Sequence, residues 1–206
     1  MVLPTNSSAR SFQNTRAPMG GEQRRKELIA LAYSIIAEKG FEGLRVRDVA
    51  SRAGINGATL HYYFPTKEAM VQAVVEHLTE QFSTLREQNS ELTDPLAMLR
   101  QEFADVTYRM EKFPELFIVA AELELRSLRD SSIAVILKEM YQAWQDYLAA
   151  LLQNGVTQKV FRSDLDVQTT AIAITTLIRG LGSQLGSEKG DQISRIATQV
   201  EQWIMA

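Results

Sequence analysis

Between Arg45 and Lys67 the chain sets out Arg45, Arg47, Asn56, Thr59, His61, Tyr62, Tyr63 and Lys67, a series of cationic, amide, imidazole and hydroxyl groups. Such groups suit a polyanion: arginine can pair bidentately with guanine, and lysine and hydroxyl side chains donate to phosphate oxygens. Catalytic constellations are missing by comparison. With no cysteine, and only His61 and His77 as histidines, disulfides, thiolate zinc sites and a cysteine nucleophile are excluded, and histidine-rich metal sites are not expected. The sequence holds no nucleotide loop, nucleophile elbow or metal-spaced cluster, and Asp164, Asp166 and Asp191 read as helix caps and solvated loop charge. No catalytic residue, metal or cofactor is expected, so an enzyme is disfavoured.

The apolar residues recur at helical intervals, and nowhere does a strand-like alternation persist. The fold class expected is all-α, with nine helices and no internal repeat. A first helix over about 22–39 buries Leu28, Ala32, Ile35 and Ile36, and Gly40 ends it in the left-handed conformation. A short second helix over about 46–53 places Val46, Val49, Ala50 and Ala53 on one face before Gly54 stops it. Asn56 then caps a third over about 57–63. Two short helices meeting at a glycine-containing turn fit a helix-turn-helix, whose second helix enters the major groove. On that helix Leu60 and Phe64 pack inward, which leaves Gly57, Ala58 and His61 facing out, flanked by Thr59, Tyr62 and Tyr63.

Thr66 caps a long helix, about 67–86, with Val71, Val74, Val75, Leu78, Phe82 and Leu85 as its stripe. Pro95 and Pro114 open two more, the second over about 114–129. A helix over about 132–154 ends at Asn154-Gly155, one capped by Asp166 runs to about 185, and a last covers about 191–204. Residues 1–20 show no apolar period and read as a mobile tail, 21–69 as a DNA-binding head and 70–206 as a helical body. Arg10 and Arg16 could serve as a basic arm.

The 206 residues are 45% hydrophobic and 23% charged, an ordinary globular composition. The net charge of −3 conceals an asymmetry: residues 1–75 hold ten Lys and Arg against six Asp and Glu, and 76–206 hold twelve against nineteen. A basic head on an acidic body suits a polyanion partner at one end only. No apolar run reaches bilayer length and the N-terminus lacks a signal-peptide core, so no membrane association and a cytoplasmic location are expected.

The stretch from Gly40-Phe41 through Val46-Arg47-Asp48-Val49-Ala50, Ala53-Gly54-Ile55, Thr59-Leu60 and Tyr63-Phe64-Pro65-Thr66-Lys67-Glu68-Ala69 closely resembles the DNA-binding head of the tetracycline-repressor (TetR) family. The close resemblance covers about residues 22–69. It implies a homodimer in which each head reads one half-site of a palindromic operator on double-stranded DNA, and release when a small-molecule effector enters the body. By matching position, Arg47 would reach a base edge or phosphate, and Thr59, Tyr62, Tyr63 and Lys67 the phosphate backbone. A surface pairing of Arg47 with Asp48 or Glu42 is the plainer alternative. Three positions depart from the family pattern: Arg45 stands where Ser or Thr often caps the second helix, Gly57 replaces a frequent base reader, and His61 stands where Tyr is common.

The resemblance also assigns the last two helices to a dimer bundle, with Ile174, Ile178, Leu181, Leu185, Ile196, Val200 and Trp203 as candidates and an intramolecular core as the alternative. It places a ligand cavity among residues 95–180, with Phe103, Tyr108, Phe117, Glu122, Trp144 and Tyr147 as candidate lining residues, or plain core. Glu122 and Glu124 lie inside an apolar run and need solvent or a partner, for which Arg126 and Arg129 are at hand. Ligand is expected to change the head separation through helix 67–86. The competing function is a helical small-molecule or lipid carrier without a DNA role.

Overall fold

The computed structural model describes residues 20–88, 92–182 and 189–205. Among these, nine α-helices make up the frame: α1 Gly21–Lys39, α2 Val46–Ala53, α3 Gly57–Tyr63, α4 Lys67–Gln88, α5 Pro95–Lys112, α6 Pro114–Ser127, α7 Ser131–Thr157, α8 Val167–Gly182 and α9 Lys189–Ile204. A 3₁₀ turn, Phe41–Gly43, follows α1, and a lone bridge joins Phe161 to Met205. None of the described helices is long and apolar enough to cross a membrane. The tail with Arg10 and Arg16, and Leu185, lie outside the described residues, as does the side chain of Leu85.

Local chemistry starts and stops these helices. Asn56 accepts the Thr59 amide at 2.8 Å, Thr66 the Ala69 amide at 3.1 Å, Asp94 the Ala97 amide at 2.7 Å and Asp166 the Thr169 amide at 3.0 Å. Each such cap satisfies an amide that the first helical turn leaves unpaired, a contribution of about 1 kcal/mol. Gly54 closes α2 at φ 66°, ψ 33°, the left-handed region. Gly40 also has a positive φ, 71°, but its ψ of 173° places it in an extended conformation open essentially to glycine, not in the left-handed helical cap.

The expected end of α7 at Asn154-Gly155 is corrected by the structure: the helix continues to Thr157. Gly155 is buried within it, and a Cβ there would lie 2.0 Å from Phe161 Cδ2, so the glycine admits an aromatic ring. The reversal falls instead at Lys159, whose φ is 60°.

Two buried clusters hold the helices. The first packs Leu28, Ile35 and Ile36 of α1 with Val49, Leu60, Phe64, Val71, Val74 and Leu78, and runs on to Val119 and Leu123 of α6 and Leu137 of α7. The second joins Leu99 and Phe103 of α5, Leu148 and Leu152 of α7, Phe161, Ile174 and Ile178 of α8, and Val200 and Ile204 of α9. Phe117 of α6 packs against both clusters.

This packing gives most of the α8 and α9 side chains assigned to a contact between copies a cover within their own chain. Ile174, Ile178, Leu181 and Val200 are buried within their own chain, and Ile196 packs against the same cluster. Among the described residues of that set Trp203 is exposed and Ile196 partly so; an apolar stripe at helical spacing cannot declare which neighbour covers it.

Candidate nucleic-acid interface and interior cavity

α2 and α3 meet across Gly54, and α1 braces both. Arg24 Nη2 donates to the Ala53 carbonyl at 2.8 Å, Arg52 clamps Glu38 through two hydrogen bonds of 2.9 and 2.6 Å, and the Arg25 guanidinium lies 5.3 Å from the Phe64 ring centroid. The Arg52 and Ser34 hydrogen bonds pull the Glu38 carboxyl down to about 2, so this clamp stays charged through the neutral range. Leu60 and Phe64 are buried beneath α3, which fixes its outward face.

That face exposes Asn56, Gly57, Ala58, Thr59, His61 and Tyr62, with Arg45 and Arg47 exposed at the start of α2. A Cβ built on Gly57 would meet nothing within 4 Å, so the first turn of α3 presents bare backbone. Tyr62 is 82% exposed, and its ring stands edge-on to Tyr63 at 5.3 Å. Tyr63 is half-buried against the head core. Three of the basic or hydroxyl groups already have local partners: Arg47 lies 3.6 Å from Asp48, the Thr59 hydroxyl donates to Asn56 Oδ1 at 3.0 Å, and Lys67 Nζ sits 4.6 Å from the Phe41 ring centroid. Arg45 caps α2 with no side-chain hydrogen bond.

The body encloses a cavity of about 200 Å³ between α4, α5, α6, α7 and α8. Phe117 and Trp144 line it. The other candidate lining residues are placed elsewhere. Phe103 is buried in the α5–α8–α9 cluster, Tyr108 is exposed beside Phe113, and Tyr147 packs against the same cluster as Phe103. Glu122 turns to the head, where its Oε2 accepts the Phe41 amide at 2.8 Å. The neighbouring carboxylate, Glu124, does line the cavity; it accepts Tyr141 Oη and, at 3.1 Å, Arg179 Nε. Its cation is therefore Arg179, whereas Arg126 pairs with Glu42 at 3.4 Å and Asp130 at 3.6 Å.

Sequence reading missed Phe82, Glu102, Arg109, Tyr141 and Arg179 as cavity lining. Glu102 accepts Trp144 Nε1 at 2.8 Å and Arg109 donates to the Phe82 carbonyl at 2.6 Å, both from buried positions. The available signal was charge on an apolar face: Glu102 and Arg109 adjoin Phe103 and Met110, and Arg179 follows Ile178. Burial, and then the Glu124 charge, push the Tyr141 phenol well above its ordinary range, so it stays a neutral donor.

An exposed α3 behind a glycine turn, braced by α1 and followed by a hollow helical body, defines a helix-turn-helix regulator. Two family models match, "Bacterial regulatory proteins, tetR family" over residues 28–74 and "BetI-type transcriptional repressor, C-terminal" over 95–205. The chain is 31% identical over 155 residues to the HTH-type transcriptional repressor KstR2 of Mycolicibacterium smegmatis, covering 73% of each chain. Among solved structures, a TetR transcription regulator from Haloarcula marismortui superposes with a TM-score of 0.81 at 20% identity, over 90% of this chain and 100% of that one. The ketosteroid transcriptional regulator KstR2 of Mycobacterium tuberculosis superposes at 0.66 and 22% identity, over 89% and 95%. The chain belongs to the TetR family of bacterial regulatory proteins, as a DNA-binding transcriptional repressor with a ligand-binding carboxy-terminal part.

Proposed function

We propose that two copies of this chain bind an inverted-repeat operator, that α3 of each copy lies in a major groove, and that a small molecule in the body cavity lowers the affinity of the pair for DNA. The observation that carries the reading is the joining of two features in one chain: an outward α3 face of Gly57, Ala58 and His61, and a cavity wall whose helix α6 also grips the head through Glu122. Functionally, residues 21–69 serve as the DNA-binding part and 70–206 as the effector and pairing part. Arg47 reads a base or a phosphate; Arg45, Thr59, Tyr62, Tyr63 and Lys67 take the backbone. For Thr59 and Lys67 this means exchanging the Asn56 and Phe41 contacts for phosphate.

Pairing of copies through α8 and α9 would use their exposed apolar residues, Ile172, Leu177 and Trp203, since the buried stripe is taken by the chain's own core. Two heads about 34 Å apart would meet successive grooves on one face of the duplex. The protein would act in the cytoplasm and carry out no catalysis. A carrier without DNA work would leave the exposed face of α3 without a use.

The test is a gel shift with an operator duplex and a panel of compounds shown to bind the body. The expected result is a complex of two chains per duplex that at least one bound compound dissociates. A single chain per duplex, or DNA affinity indifferent to every bound compound, contradicts the reading.

A further inference from the structure

Outside the cavity, between α6 and α7, lies a more open groove of about 600 Å³. The two spaces share Ala121, Glu124, Tyr141 and Arg179, so those side chains form the partition between them. The partition is polar and lightly built. The Arg179 guanidinium carbon sits over the Tyr141 ring, 3.8 Å from its centroid, and the side chain meets Glu124 through Nε alone. No second carboxylate reaches its guanidinium among the described residues. The groove side adds Lys138, Gln142 and Gln145.

We propose that the groove is the entrance to the cavity, that Arg179 on Tyr141 is its door, and that the ligand is a compact aromatic or alicyclic carboxylate. Its ring body fills the cavity and its carboxylate takes Arg179 in place of Glu124, which turns toward the groove. This rests on the cavity being the effector site. Size sets the body: an engineered apolar cavity of about 150 Å³ holds benzene, so about 200 Å³ admits a substituted ring and not a long chain. Charge sets the head group. A quaternary ammonium needs open aromatic faces, and here Tyr141 carries Arg179, the Arg109 guanidinium lies 6.0 Å from the Phe82 centroid, Phe117 meets Phe82 edge-on at 5.7 Å and Trp144 is held by Glu102 through Nε1. A carboxylate instead offers the guanidinium fork a two-point contact that Glu124 does not make.

The experiment is calorimetric titration of the full chain with 4-tert-butylbenzoate, 4-tert-butylbenzamide and 4-tert-butylbenzyltrimethylammonium. Benzoate is expected to bind at least ten-fold more tightly than the other two. Arg179→Gln should weaken benzoate ten-fold or more and leave the benzamide within about two-fold. Glu124→Gln should tighten benzoate by removing its competitor, and it serves as the test should Arg179→Gln fail to fold. The proposal is overturned if the ammonium compound binds most tightly, if neither substitution changes benzoate binding, or if none of the three saturates. The effector reading is judged apart, on the operator duplex: benzoate that binds as expected without changing operator affinity sustains the ligand class and removes the regulatory role.

Discussion

Gly57 allows stability and recognition to be separated at a single residue. Its Cβ position is open, so Gly57→Ala should leave thermal stability unchanged or slightly raised, because alanine loses less entropy in the first helical turn. Operator affinity should nevertheless fall, since a methyl would stand between bare backbone and the base edges; equal affinity would remove the close-approach role of this turn. Arg47 is 76% exposed and holds Asp48 only at 3.6 Å, a pairing of little energetic consequence. Arg47→Ala should therefore relax base preference at one operator position by about 1–3 kcal/mol, and an unaltered preference profile would leave Arg47 as a surface charge. Lys67→Ala should weaken binding to all duplexes alike and reduce the salt slope by about one. An unchanged slope would mean that its ammonium stays with Phe41. The roles of Arg47 and Lys67 came from matching positions in the family that the head resembles, and the fold keeps Arg45, Arg47 and the outward α3 side chains from Asn56 to Tyr62 accessible. The local partners of Thr59 and Lys67 were beyond sequence reading, because they depend on rotamers and on a turn some 25 residues earlier in the case of Lys67.

Among the helices, α6 is placed in the proposed switch by its two sides. One side brings Phe117, Ala121 and Glu124 to the cavity, and the other brings Glu122 to the Phe41 amide and Arg126 over the Phe41 ring. A ligand that shifts α6 thus acts on the end of α1 directly, alongside the longer route through α4. Glu122→Ala should leave the Phe41 amide without this acceptor and shrink the ratio of operator affinities with and without ligand; an undiminished ratio would assign transmission to α4. Helix limits set by caps and prolines were legible, since Asn56, Thr66 and Asp166 act within three residues of themselves and Pro95 and Pro114 open their helices. The end of α7 was not. Gly155 looks like a terminator until Phe161 is seen to occupy the space of its missing side chain. Gly155→Ala should accordingly destabilise the chain by about 1–3 kcal/mol, the usual cost of overpacking, measured by denaturant unfolding.

At the scale of the whole molecule, sequence periodicity identified buried stripes but not the surfaces that cover them. Ile174, Ile178 and Val200 meet their own chain's α5 and α7 cluster, so the proposed pairing would use Ile172, Leu177 and Trp203. Leu177→Glu should give a folded single chain by sedimentation and lose tight operator binding; a persisting dimer would place the interface elsewhere. The polar wall of the cavity was equally hidden, because Glu102, Glu124, Tyr141 and Arg179 come from four different helices, α5, α6, α7 and α8. What ties these parts together in the proposed function is the lodging of two α3 helices in successive grooves of one duplex. Selection of bound duplexes from a random pool at low ionic strength tests this most directly. An inverted repeat whose half-sites lie about one helical turn apart is the expected outcome, and a pool that stays random after repeated rounds would contradict it.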